Sequence, residues 1–275
     1  MSCVKADKLS INTRYSKGNF TVKDLAEEFN VSTRTIYRRL DKKYTEALPS
    51  KAARHIVVLM DTTYWGRKFG IVIMKDSIRG DVLWYKFIDR HERLDDYKEG
   101  VAYLETRGFT IQGIVSDGLK GLREMFPNYK YQLCQFHQVM TIKTKLTLRP
   151  KLEASKELPA LSLTLCHTDK ESFIGALDDW HRKWEPFLKE RTEGEDRKSH
   201  YTHKALRSAY LSLNRNMPWL WTWYDNPKLD IPNTNNGIES LNADLKMKLN
   251  LHKGLSPERR KVFIQDFIKA HCPNR

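Results

Sequence analysis

At 275 residues the chain is long enough for one large domain or two to three small ones. With 40% hydrophobic and 11% aromatic residues it can bury a core, which excludes a wholly disordered or collagen-like chain. Lys+Arg 48 against Asp+Glu 34 leaves a formal net charge of +14, so a polyanion such as nucleic acid is the natural partner, each phosphate contact releasing counterions.

The first predicted elements lie between Phe20 and Lys42. Thr21 can cap a helix whose apolar positions Val22, Leu25, Ala26 and Phe29 recur at helical spacing, and Asp24 at its third position completes a carboxylate variant of the capping box. Asn30-Val31 breaks that run. Ser32 or Thr33 can cap a second helix, Arg34 to Leu40, with Ile36 and Leu40 inward and the arginines outward. Two short helices across a tight turn, the second basic and rich in hydroxyls, form a helix-turn-helix whose second member suits a major groove. Thr33, Arg34, Thr35, Tyr37, Arg38 and Arg39 are its candidate DNA contacts; a helical hairpin with a solvated basic face is the plainer alternative.

After Leu48-Pro49-Ser50 the periodicity changes. His55 to Asp61, Phe69 to Lys75 and Val82 to Ile88 are short apolar runs with polar turns between, and three successive strands on short loops pair antiparallel. Leu94 to Thr106 reads as a helix with Tyr97, Val101 and Leu104 on one face. Phe109 to Ser116 reads as a buried fourth strand, Leu119 to Met125 as a helix and Tyr131 to Phe136 as a fifth strand. The order βββαβαβ predicts an α/β fold with a ribonuclease-H-like mixed sheet, an antiparallel meander leading into right-handed crossovers.

From about Gln138 to Tyr224 no strand run is evident, and the segment reads as all-helical. It holds five of the seven tryptophans, Trp180, Trp184, Trp219, Trp221 and Trp223. Trp180 and Trp184, four apart, share a helix face, where a packed core is the default reading and base stacking the alternative. Glu190 to His200 is a charged stretch suited to a mobile loop. The predicted organisation is a helix-turn-helix domain at 1–48, the first part of a catalytic core at 49–137, a helical insertion at 138–225, and the helix completing the core at 226–275. No run of ~18 apolar residues appears, and Met1 to Lys5 does not lead into a signal peptide, so no membrane is expected and the cytoplasm is the predicted location. Cys3, Cys134, Cys166 and Cys272 lack the spacing of a disulfide framework, as reduced thiols would.

Acidic residues that end apolar strands need something to replace lost hydration. Asp61 follows Val57-Val58-Leu59-Met60, and Asp117 follows Ile114-Val115-Ser116 and precedes Gly118, which allows a sharp turn. In this sheet the first and fourth strands are neighbours, so the two carboxylates converge as half of a Mg2+ site. From Pro232 to Leu245, capping residues precede an apolar stripe of Ile238, Leu241, Leu245 and Leu249, with Glu239 at its edge in the first turn. The helix dipole alone favours a carboxylate there. With two strand-end aspartates ahead of it, Glu239 becomes the candidate third ligand and Asp244, five residues on, its rival.

The helix-turn-helix, Asp61 in LMDTTYWGR, Asp117 in VSDG, the signature Cys134-Gln135-Phe136-His137 and Glu239 in NTNNGIESLNADLK follow one another in this order. The set resembles a DDE-type transposase of bacterial insertion sequences, of the Mutator-like group, from about Phe20 to Leu251. Members of that group place a Cys-x-x-His signature between the second Asp and the Glu and insert a helical domain there. They often carry a zinc-binding module and further DNA-binding segments upstream, beside which this chain reads as a shortened copy.

The resemblance implies cleavage at element ends and transfer into target DNA, with double-stranded DNA as partner of a homodimer or larger oligomer. It also implies two Mg2+ ions, with Mn2+ as substitute: Asp61 would bridge both, and Asp117 and Glu239 would each hold one. Lys246, Lys248, Lys253, Arg259, Arg260 and Lys261 suit the DNA backbone, although each alone reads as a solvated charge. Cys134 and His137 can supply half of a zinc site, but Cys166-His167 is a poor other half because adjacent residues seldom both reach one tetrahedral ion. The preferred reading makes Cys134 a buried strand residue and His137 a neighbour of the carboxylates, contacting phosphate or ordering a metal ligand. Two further classes stay open: a DNA-binding regulator with an inactive core, and a nuclease or junction resolvase that cuts without joining.

Overall fold

Five strands form one mixed sheet in the order β3-β2-β1-β4-β5: β1 (His55–Tyr64), β2 (Gly70–Asp76), β3 (Val82–Ile88), β4 (Thr110–Ser116) and β5 (Lys130–Leu133). Short loops make β1, β2 and β3 an antiparallel meander, whereas β4 lies parallel to both β1 and β5 because α4 (Leu94–Thr106) and α5 (Leu122–Met125) carry the crossovers. The computed structural model describes residues 8–41, 48, 51–66, 69–147, 149–193 and 199–272. The expectations at Met1 to Lys5, Lys42, Pro49-Ser50 and the centre of the 190–200 stretch lie outside the described residues.

Side-chain alternation along β1 divides the core into two layers. Ile56, Val58 and Met60 join Tyr97, Val101 and Leu104 of α4 on one side. Val57 and Leu59 join Ile238, Leu241 and Leu245 of a long helix, here numbered α11 (Asn236–Leu251), on the other. Both faces of the central strand are therefore dry, which explains its near-continuous apolar run.

After β5 come α6 (Gln135–Leu146), α7 (Glu153–Thr164), α8 (Lys170–Lys189), α9 (Lys204–Leu220) and α10 (Thr222–Asp225), which extend the first layer. Trp180 and Trp221 are buried in it, and Trp184, Trp219 and Trp223 pack against it, as a core role requires. The segment is not wholly helical. Arg191–Glu193 (β6) and Ser199–Tyr201 (β7) form a small antiparallel hairpin. Three-residue strands without apolar alternation offer no period to read.

Two strand ends also differ from expectation. β1 continues past Asp61, because Asp61 to Tyr64 pair with β2 beyond the last β4 pairing at Leu59. β5 stops at Leu133, and Gln135 and Phe136 open α6. Cys134 donates its N–H to Ser116 O at 2.8 Å and accepts from Gln138 N–H at 3.1 Å, so it is the hinge between ladder and helix rather than a strand residue.

Toward the N-terminus, α2 (Val22–Glu28) begins with the predicted Thr21/Asp24 capping box, and Ser32 caps α3 (Thr33–Leu40). Asn30, with φ 47°, takes the left-handed turn between them. A preceding helix, α1 (Lys8–Ser16), was not foreseen. Ile11, Tyr15, Leu25 and Ile36 share one buried cluster with Phe263, Ile264 and Phe267 of α12 (Pro257–Ala270). Among the described residues, no helix is long and apolar enough to cross a membrane.

Candidate functional site

In the parallel pair β1–β4, Leu59 stands opposite Val115. Two residues further along each chain come Asp61, which Asn242 of α11 contacts, and Asp117, which follows the end of β4 and lines a cleft with Arg215 and Trp219 of α9. The chain leaves β4 at Gly118, whose φ is 94° and where a Cβ would lie 2.5 Å from Leu133 Cδ1, so glycine is required on both counts. Gly237 lets the start of α11 approach β1: a Cβ there would meet Leu59 Cδ1 at 3.1 Å. Lys75 Nζ donates to Gly237 O at 2.6 Å and Asn235 Nδ2 to Met60 O at 2.9 Å, fixing the first turn of α11 over the sheet.

That turn delivers Glu239. Asp61 is the group that registers the assembly: burial first, then the charge of Asp117, pushes its carboxyl up to about 7, and Glu239 adds in the same sense. The Thr62 N–H and Asn242 Nδ2, the latter 2.6 Å from Asp61 Oδ2, oppose the shift without cancelling it. Asp117 Oδ1 is buried and has no hydrogen-bond partner among the described residues. Asp61 thus lies within electrostatic range of both other carboxylates predicted from sequence. The rival Asp244 is turned toward α12, with Oδ2 3.5 Å from His271 Nε2.

Sequence reasoning missed three neighbours. Asn242, one turn beyond Glu239, orients Asp61. Glu92 and Tyr97 hydrogen-bond to each other, and Tyr97 Oη lies 2.9 Å from Thr62 Oγ1. Burial raises the Glu92 carboxyl, opposed by its bonds to Tyr97 and Thr62, while Asp117 adds to the rise. The signal for Asn242 was its i+3 spacing from Glu239; Glu92 lies in a polar loop and carried none.

Cys134 and His137 meet Glu239 from the other side. His137 lies in the first turn of α6, with Nδ1 3.4 Å from Glu239 Oε1, and Cys134 Sγ is 3.8 Å from the same oxygen. Burial drives the Cys134 thiol up to about 12, against backbone N–H bonds from His137, Asn235 and Phe136. Cys166 and His167 are not part of this cluster, so the two halves of a Cys/His zinc site do not come together.

On α3, Thr33, Arg34, Tyr37 and Arg38 are exposed, and Thr35 and Arg39 are partly covered. Ser32, Thr33, Arg34, Thr35 and Arg38 line an open groove with Arg259 on its rim. Lys246 is exposed. Lys248 is corrected: only 7% exposed, it donates to Asn19 Oδ1 at 2.6 Å and is a structural tie rather than a DNA contact.

Residues 7–42 match a family described as an HTH domain, which fits DNA binding by α2 and α3. No curated protein matches the chain.

Proposed function

We propose that this chain is a DNA-cleaving and strand-transferring enzyme of the DDE-transposase kind, with a ribonuclease-H-like core made of the five-stranded sheet and α11. One observation carries the reading: Asp61 on β1 feels the charges of both Asp117, which follows the adjacent parallel strand β4, and Glu239, from the first turn of α11. The strand order, with the meander at one edge and the crossovers at the other, supports it.

The donor set fits Mg2+ or Mn2+. The oxygens are hard, Asp117 Oδ1 is buried without a hydrogen-bond partner among the described residues, and the ionisation of Asp61 is held back first by burial and then by like charge, both of which a cation would offset. Asp61, Asp117 and Glu239 would hold the ions, which when bound supply Lewis-acid stabilisation of the charge on the phosphate under attack. The chain's own contribution is positioning. Asn242 fixes the orientation of Asp61, His137 lies beside Glu239, and Arg34, Arg38 and Lys246 contact DNA phosphates, which set register without taking part in the chemistry.

The test is incubation with Mg2+ and DNA bearing the inverted repeats that flank the gene, scored for nicks at the repeat ends. Asp61→Asn, Asp117→Asn and Glu239→Gln should each lose at least about 100-fold in cleavage while keeping DNA affinity within about 3-fold. Wild-type cleavage by any of the three would remove that residue from the site. Tight binding with no cleavage in Mg2+ or Mn2+ would make the protein a regulator instead.

A further inference from the structure

We propose that Cys134, His137 and Glu239 form a binding site for a borderline-soft divalent ion of the Zn2+ class, and that this site competes with the hard-ion site for Glu239. The competition rests on the proposed phosphoryl-transfer function; the ion site itself does not.

One ligand atom from each of the three residues lies within 4.8 Å of the other two. Cys134 caps α6 and His137 follows at i+3, so both face one side of the helix start, and Glu239 approaches from α11. A sulfur, an imidazole nitrogen and a carboxylate oxygen are the donors zinc takes, and three protein ligands leave a fourth tetrahedral position for water or substrate. Mg2+ has no use for two of the three.

Two independent features point to a ligand rather than to chance proximity. His137 Nδ1 is buried and makes no hydrogen bond, although it faces Glu239 Oε1 at 3.4 Å. Cys134 Sγ accepts the Asn235 N–H at 3.2 Å and lies within the backbone N–H donors of the first turn of α6, Phe136 and His137. Burial holds the free thiol protonated, and these donors favour the sulfur once a cation replaces the proton. On binding, the Cys134 S–H proton leaves to solvent and the thiolate sulfur takes its place on the metal. Glu239 Oε1 then belongs to the soft ion and is lost to Asp61 and Asp117, so occupancy switches the hard-ion site off.

Metal-free full-length protein titrated with Co2+ reads the site directly, without DNA. The expected result is one Co2+ per chain, with a thiolate-to-cobalt charge-transfer band and tetrahedral d–d absorption, displaced by stoichiometric Zn2+ and weakened by Mg2+ only in large excess, since the two sites share Glu239. Cys134→Ser should abolish the charge-transfer band, and His137→Ala and Glu239→Gln should each weaken Co2+ binding by at least about 10-fold. Absence of the thiolate band, or unchanged affinity in Cys134→Ser, overturns the site. Should that variant fail to fold, mass-mapped alkylation of the wild type replaces it: Zn2+ should protect Cys134 and leave Cys166 unaffected, and no protection overturns the proposal.

For the competition, Zn2+ at the concentration that displaces Co2+ should inhibit Mg2+-dependent cleavage by wild type and not by Cys134→Ser, whatever that variant's own rate. Ion binding with no inhibition would overturn the competition alone. A Co2+ spectrum from a protein that never cleaves DNA would overturn the proposed function and leave the ion site standing.

Discussion

Arg259 of α12 grips Asp41, the residue that caps the end of α3, with Nε 2.7 Å from Oδ1 and Nη2 2.6 Å from Oδ2. The same guanidinium lies 4.8 Å from the centre of the Tyr37 ring. The helix-turn-helix is therefore latched to the C-terminal helix at the C-terminal end of α3, and its core is continuous with Phe263, Ile264 and Phe267.

This continuity changes what truncation should do. From sequence, a chain starting after residue 48 would be expected to fold, since the main core begins with β1. In the structure the cut uncovers the α12 face that buries Ile11 and Tyr15, so the shortened protein should aggregate or melt at least about 10 °C lower. Calorimetry of the intact chain should show a single transition; two well-separated ones would mean independent units.

The exposed and tied cations should separate in DNA binding. Arg34→Ala and Arg38→Ala should each weaken affinity by roughly 1–3 kcal/mol if they read bases, or lower the salt slope by about 1 if they touch phosphate. Lys248→Ala should leave that slope unchanged and lower the melting temperature, because it removes the tie to Asn19. Anisotropy titrations at several salt concentrations distinguish these outcomes.

Asp266 on α12 gives a pH signature remote from the acid cluster. Burial raises its carboxyl to about 6, with Lys269 opposing. Its neighbours include Asn12 Nδ2, at 3.4 Å, and Tyr85, whose hydroxyl it helps raise. The folded chain keeps this proton where the unfolded chain, near 3.9, has lost it. Its contribution to stability is therefore complete below about pH 4 and is lost as pH rises through about 6. Asp266→Asn should match wild type near pH 4 and exceed it by roughly 1–2 kcal/mol above pH 7, its amide offering a donor to the unpartnered Asn12 Oδ1. Urea melts across that range check it; a variant less stable at pH 8 would refute the assignment.

Gln132 is wholly buried and binds three backbone groups, donating to Leu133 O at 2.7 Å and Leu220 O at 3.0 Å and accepting from Trp223 N–H at 2.9 Å. Gln132→Leu keeps the volume but strands the Trp223 N–H in the core. The expected cost is about 2–4 kcal/mol in denaturant unfolding, and a loss below about 0.5 kcal/mol would show that another group takes over.

What the sequence disclosed follows physical range. β3 and α4 fall at their predicted bounds because a short apolar run between polar turns and a three-residue apolar stripe are local signals. Asp61 and Asp117 stood out because each follows an apolar run, and Glu239 because it edges an apolar stripe; that β1 runs on past Asp61 was not visible, since its last residues pair only with β2. Nor was α1, since among its described side chains Ile11 and Tyr15 are the buried apolar ones and their partners include residues of α12. Lys248 read as solvated because its acceptor, Asn19, is 229 positions away. Cys134 read as strand because burial is the same on either side of the hinge at which it sits.

One helix joins both ends of the molecule's business. α11, 16 residues and thus ~24 Å long, carries Glu239 in its first turn, while Lys248 and His252 at its far end hold Asn19 and the Tyr15 carbonyl, the latter at 3.2 Å. It works as a strut of fixed phase. Adding one residue in its middle would lengthen it by only ~1.5 Å but swing the reading end by ~100° about its axis, so α11 can change length without scrambling the assembly only by near-whole turns.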